Sequence, residues 1–178
     1  MGFDMNAFSL AGKKAIVTGG AKKTGLCYGM AVALHDAGAE IVILDANSQV
    51  ENTVAELGGA KSGYHAVVAN LLDLNDLSNG FQQAISALGG RLDILVNGAE
   101  EFPEDAWDHI MGVNIKGVFF MSQLAGKVML KQGKGKIINI ASTNSFIGLR
   151  NMPAYVSSKG GVKQLTMALS SEWSGRGI

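Results

Sequence analysis

The chain has 178 residues, 47% hydrophobic and 17% charged, enough for one buried core and short for two. Lys and Arg together number 15, as do Asp and Glu, so the net charge is zero and no basic field exists to hold a nucleic-acid backbone or an anionic membrane surface. The single cysteine, Cys27, cannot close an internal disulfide, the first residues lack a basic start and a signal-length apolar run, and no apolar stretch reaches the ~18 residues of a membrane helix, so a cytoplasmic protein is expected, with neither nucleic acid nor membrane as partner.

Short apolar runs alternate with longer segments of helical period. Strands are predicted over Lys14–Gly20, Glu40–Asp45, Gly63–Ala69, Leu92–Gly98 and Lys136–Ser142, all dense in Ile, Val and Leu without strict alternation. Helices are predicted between and after them, over Cys27–Ala37, Gln49–Leu57, Leu74–Leu88, Pro103–Gln132 and Ala154–Ser174. Repeated alternation of this kind implies an α/β, Rossmann-type, doubly wound parallel sheet. Residues 1–178 show no repeat or composition shift that would divide them, so a single domain is expected.

In such a sheet a ligand binds outside the carboxyl ends of the strands, near the switch in strand order. The first predicted strand runs into TGGAKKTGLC, a glycine-rich turn that opens a helix. Free N–H groups and the helix dipole at that place suit a pyrophosphate, although glycines at strand ends also occur for steric reasons alone. Asp45 ends the second strand, where a carboxylate can accept bonds from both adenosine ribose hydroxyls, or can simply cap the helix that follows. The same carboxylate repels a 2′-phosphate and so favours NAD over NADP, while Lys22 and Lys23 in the turn oppose that preference.

Tyr155 and Lys159 sit four apart on a predicted helix. Helical spacing alone most often means a solvated pair, but a fixed ammonium one turn from a phenol also stabilises its phenolate, which suits a proton shuttle. Ser142 could either hydrogen-bond a reacting oxygen or cap its loop, and Asn114 could satisfy backbone groups at a helix bend. His35, His65 and His109 have no metal-ligand spacing, and no metal site is expected.

The turn TGG…G, Asp45, LVNGA, NIKGVFF, IINIAS and Y…K together resemble the short-chain dehydrogenase/reductase family in order and spacing, over nearly the whole chain. The resemblance implies hydride transfer between a nicotinamide cofactor and a CH–OH or C=O group. It assigns a catalytic set of Asn114, Ser142, Tyr155 and Lys159, with Tyr155 as acid or base and Ser142 on the reacting oxygen. Lys159 also holds the nicotinamide ribose, and Asn114 holds a water linking Lys159 to solvent. Cofactor contacts are implied at Gly19, Gly25, Leu26, Cys27, Asp45, Asn70, Asn97, Ala99, Tyr155 and Lys159. NAD is the expected cofactor, NADP the lesser alternative.

Several positions depart from the family pattern. One helix length back from Gly38 falls on Cys27, so Gly25 is the middle glycine of a turn two residues longer than usual and Cys27 replaces the third. Asn97–Glu100 reads NGAE rather than NNAG, the link from Ala99 to Trp107 is short, and Asn70 stands where an aspartate usually reads adenine. Relatives continue beyond SEWSGRGI through further strands and a substrate lid, so the end of the chain is expected to leave Leu165, Met167 or Leu169 of the last helix exposed, and the full-length form to be a homodimer or homotetramer. FSLAGKKAIVTGG and GKIINIASTNSF look most similar to the branch acting on sugar acids and polyols, with Asn144 and Arg150 as possible substrate contacts. A dinucleotide-binding sensor without turnover, or a ketoreductase resembling 3-oxoacyl reductases, are the alternatives.

Overall fold

The computed structural model describes residues 8–98, 107–149 and 152–178. Five parallel strands form one sheet: β1 (Lys14–Thr18), β2 (Glu40–Asp45), β3 (Tyr64–Val68), β4 (Ile94–Asn97) and β5 (Lys136–Asn139). Their spatial order is β3-β2-β1-β4-β5, so the chain reverses its direction of build between β1 and β4. That reversal is the crevice where doubly wound sheets take their ligands.

Period-two alternation divides the strands between two cores. Ile16, Val42, Leu44 and Leu95 face one side, under α3 (Leu74–Ala87) and α5 (Val118–Gln132), which supply Leu77, Phe81, Met121 and Met129. Ala15, Val17, Ile41, Ile43, Ile94 and Val96 face the other, under α1 (Leu26–Asp36) and α2 (Gln49–Glu56), which supply Cys27, Ala31, Val50 and Val54. A parallel sheet covered on both faces needs apolar residues at successive positions, which is why these strands read as continuous Ile, Val and Leu runs. Each fully buried Ile, Leu or Phe contributes about 1.5–3 kcal/mol by leaving water.

Both single-residue accidents and cap chemistry shape the helices. Asp73 caps α3 by accepting from the N–H groups of Asn75 and Asp76, and Gly80 lets α3 approach β3, since a Cβ there would lie 2.4 Å from that of Ala69. The expected helix over Pro103–Gln132 is observed from Trp107, its first residues lying outside the described ones. It is three pieces: α4 (Trp107–Met111), a π-helical turn over Gly112–Gly117, and α5. The last long helix, α6 (Pro153–Trp173), opens on Pro153, whose missing N–H costs nothing at a first turn.

Four strands end short of their expected carboxyl limits because the ladder stops where the chain turns into the crevice. Gly19, at φ 84°, leaves β1 in the left-handed region, and Leu92 precedes β4 because its backbone pairs with the Gln132 side-chain amide at 2.8 and 3.2 Å. Of the three apolar residues expected at the surface of α6, Met167 is 58% exposed and Leu165 and Leu169 are half-buried. Leu169 lines a groove of about 220 Å³ beside β5 with Trp173 and Ile178. No helix among the described residues is long and apolar enough to cross a membrane.

Candidate active site

At the carboxyl ends of β1, β2 and β4 lies a cavity of about 460 Å³. Its wall includes Gly19, Gly25, Leu26, Cys27, Asp45 and Asn70, six of the ten expected cofactor contacts. Gly25 is the N-cap of α1 and offers no side chain to its N–H groups, so the helix presents donors and the positive end of its dipole to the cavity. Leu26 is 65% exposed and stands at the rim. Gly20 admits no side chain, because its Cβ would sit 2.7 Å from Ile43 Cγ2.

Asp45 is fixed by the turn itself. Its Oδ2 accepts from the Ala21 N–H and its Oδ1 from the Asn47 N–H, each at 2.9 Å. The Thr53 hydroxyl donates to the Ala21 carbonyl at 2.7 Å, which ties the extra length of the turn to α2. Asp45 does not cap α2, whose N-cap is Ser48 and whose first N–H, on Gln49, is taken by Asn47 Oδ1 at 2.9 Å; the Asp45 carboxylate closes a local turn and lines the cavity. Of the two turn lysines, Lys23 is ion-paired with Glu56 while Lys22 lines the cavity. Asn70 accepts the Leu72 N–H with its Oδ1 at 2.9 Å, a local turn that leaves one lone pair of that oxygen.

Asn97 and Ala99 fare differently from the rest. Asn97 is buried, and its Nδ2 donates to Ser122 Oγ at 3.2 Å and to Asn139 Oδ1 at 2.7 Å, stitching β4 to β5 and α5 rather than lining the cavity. Ala99 and Arg150 lie outside the described residues.

The four expected catalytic positions lie at the start of the 3-10 turn after β5 (Ser142), on α6 (Tyr155 and Lys159) and in the π-helical turn (Asn114). Lys159 is 2% exposed, and its ammonium donates to the Ile140 carbonyl at 3.0 Å and stands 5.7 Å from the Tyr155 ring centroid. Ile140 itself lines the cavity, so the charge of Lys159 meets the cavity wall through one residue. Tyr155 is half-buried. Asn114 lies within the π turn, where its Nδ2 donates to Ser158 Oγ at 3.1 Å, and Ser158 donates in turn to the Tyr155 carbonyl at 2.7 Å. The Asn114 Oδ1 is buried without a hydrogen-bond partner among the described residues. Such single π turns recur at functional sites because the extra residue re-aims a side chain.

Ser142 has a structural task as well. Its Oγ accepts the Asn144 N–H at 3.1 Å and its own N–H is taken by Ser145 Oγ at 3.3 Å, a reciprocal cap of the short 3-10 turn Thr143–Ser145. That bond uses the oxygen as acceptor and leaves the O–H to donate. The sequence did not point to Ala21, Asn47, Leu71, Val113 or Ile140 on the cavity wall. Ala21 and Ile140 act through backbone groups, which no residue type announces, whereas Val113 could have been found as the neighbour of Asn114.

The donor set fits a dinucleotide. An uncapped helix start suits the pyrophosphate, the anchored Asp45 suits a ribose diol, and the apolar Ala69, Leu71 and Val113 suit flat rings. No group of three His, Cys, Asp or Glu residues among the described ones could hold a metal ion.

A family model described as short chain dehydrogenase matches residues 13–178. The chain is 40% identical to the 2-dehydro-3-deoxy-D-gluconate 5-dehydrogenase of Bacillus subtilis, over 100% of this chain and 72% of that one. It is 36% identical to the D-threitol dehydrogenase of Mycolicibacterium smegmatis, over 96% and 68% respectively. A gluconate 5-dehydrogenase from Burkholderia cenocepacia, solved in complex with NADP and tartrate, superposes with a TM-score of 0.87 at 30% identity, over 97% of this chain and 70% of that one. On the sheet order, the crevice and these matches, the chain belongs to the short chain dehydrogenases, NAD(P)-dependent oxidoreductases acting on CH–OH groups.

Proposed function

We propose that the protein transfers a hydride between NAD and the CH–OH or C=O group of a small sugar acid or polyol. The observation that carries this reading is the meeting of two half-sites: a cavity with an uncapped helix start and an anchored carboxylate, and a buried lysine that reaches its wall through the Ile140 carbonyl beside a tyrosine. A nicotinamide held by Lys159 at the cavity wall would supply the hydride acceptor for oxidation and the donor for reduction. Tyr155 takes the hydroxyl proton of the substrate as the C–H bond breaks and gives it back in the reverse direction. Lys159 supplies the positive charge that steadies the phenolic oxygen while it bears negative charge, and holds the nicotinamide ribose. Ser142 donates its O–H to the reacting oxygen. Asn114, whose buried Oδ1 has no partner among the described residues, accepts from a water on the proton's way to solvent.

NAD rather than NADP is supported by Asp45, whose two backbone donors hold the carboxylate where a 2′-phosphate would need room, and by the engagement of Lys23 with Glu56. The sugar acid and polyol dehydrogenases among the relatives support the substrate class. A single domain assembling as a homo-oligomer is supported by the exposed Met167 on α6 and Ile138 on β5, and the mass in solution tests it. The test of function is reduction of NAD, followed by absorbance, against a panel of sugar acids and polyols, with Tyr155→Phe alongside. Turnover by the parent and a loss of about 10²- to 10⁴-fold in the variant are expected. Binding of NADH without turnover of any substrate would favour a sensor instead.

A further inference from the structure

Two departures from the family pattern, far apart in sequence, touch in the structure. Cys27, in the first turn of α1, is 5% exposed, and its Sγ donates to the Gly98 carbonyl at 3.2 Å. A Cβ at residue 98 would lie 2.1 Å from that sulfur, closer than non-bonded atoms approach, while Ile140 Cγ1 at 3.4 Å and the Thr18 carbonyl at 3.5 Å would be in ordinary contact, so the clash is with Cys27. The Gly98 N–H is taken by the Thr18 hydroxyl at 3.1 Å. Both polar groups of residue 98 are thus held by side chains from β1 and α1, and its side-chain space belongs to Cys27. Both residues line the cavity, at the switch between β1 and β4.

We infer that Cys27 and Gly98 are an interlocked pair of positioning residues that sets the cavity floor: the bulk carried by the thiol on α1 is what requires residue 98 to have none. This rests on the reading of the cavity as the dinucleotide site. In the interlock, the thiol fixes how closely the start of α1, with its pyrophosphate-facing N–H groups, approaches the chain leaving β4. Adding a methyl at residue 98 forces these two walls apart, and removing the sulfur lets them return. The energetic signature is non-additivity, because each substitution alters the space the other needs.

A double-mutant cycle over the parent, Gly98→Ala, Cys27→Ala and the double variant tests this, read by melting temperature and by the Kd of NADH from its fluorescence. Gly98→Ala is expected to lower the melting temperature and weaken NADH at least about tenfold. The same change made on the Cys27→Ala background is expected to cost at least about tenfold less in Kd. Additive effects in melting temperature overturn the interlock, and coupling in melting temperature without coupling in Kd overturns its role in setting the cavity. Should Gly98→Ala not fold, a folded double variant supports the interlock and an unfolded one overturns it. Failure of the parent to bind NADH or NADPH would instead count against the dinucleotide reading, and is distinguishable because the melting-temperature cycle still reports the interlock.

Discussion

Asp45 carries two tasks that a single substitution separates by magnitude. Its Oδ2 satisfies the N–H of Ala21, which is 1% exposed, and its Oδ1 that of Asn47, which is exposed. In Asp45→Ala the Asn47 N–H turns to water at little cost, whereas the buried Ala21 N–H loses its acceptor at about 1–3 kcal/mol. For a domain of this size each kcal/mol moves the melting temperature by about 2–4 °C, so a fall of roughly 2–12 °C is expected by calorimetry. The lost charged acceptor for the ribose, worth about 1.5–3 kcal/mol, weakens NAD by about 10- to 150-fold. NADP loses a repulsion rather than a bond, so the preference for NAD narrows. Asp45→Asn keeps an oxygen for Ala21 while giving up the charge, and should retain most of the melting temperature yet lose most of the discrimination. An Asp45→Ala protein with the parent's melting temperature and the parent's ratio of NAD to NADP affinity, measured by titration calorimetry, would refute both roles.

Lys159→Ala is expected to impair turnover and NADH affinity together, because the same ammonium is assigned to Tyr155 and to the ribose; a change in only one, by steady-state kinetics and fluorescence titration, would split the roles. Gly80→Ala gains about 1 kcal/mol of helix propensity but drives a Cβ to 2.4 Å from that of Ala69, which is anchored to the sheet, so overpacking of about 1–3 kcal/mol should win and lower the melting temperature. Asp93 is buried, which opposes its charge, but the Arg91 guanidinium at 2.7 Å and the Lys14 N–H at 2.9 Å outweigh burial and hold its carboxyl below the ordinary range. Its contribution is therefore present above about pH 4 and lost as pH falls through the lowered native value. Asp93→Asn should flatten that part of the stability curve in acid urea titrations, and an unchanged acid limb would count against the assignment.

Much of this architecture was legible because buried parallel strands leave a coarse signature. Ile41–Leu44 must be apolar on both faces, and the shortness of the run and its β-branched content separate it from a buried helix segment. Cavity residues with a distinctive side chain, such as Asp45, were legible as lining the crevice because the residue type itself suggests the proposed chemistry. What escaped was carried by backbone. The Ala21 N–H that anchors Asp45 and the Ile140 carbonyl that receives Lys159 depend on where the chain passes, and an alanine or isoleucine at those places looks like any other core residue. Asn97 escaped in the opposite sense. A buried asparagine at a strand end reads as a ligand contact, but the neighbouring β5 offers Asn139 at the paired register position, and its Oδ1 takes the Asn97 Nδ2 while its own Nδ2 donates to Thr166.

The same backbone chemistry explains how α6 can hold its two functional residues in place before any ligand arrives. Ser158, positioned by Asn114 from the π-helical turn, donates to the Tyr155 carbonyl, and Ser145, from the turn capped by Ser142, donates to the Lys159 carbonyl at 2.7 Å. Carbonyl oxygens inside a helix have a second lone pair beyond the one used along the helix, so these bonds add to the ladder rather than compete with it. Two of the four proposed catalytic positions therefore serve as the footing of the other two. Removing the Asn114 or Ser142 side chain would loosen the helix that carries Tyr155 and Lys159 as well as any contact of its own. Their effects on turnover should be strongly non-additive with Tyr155→Phe, because residues that act as a unit share one loss. Multiplicative losses in Asn114→Ala combined with Tyr155→Phe, measured as kcat/KM, would show instead that the two act independently.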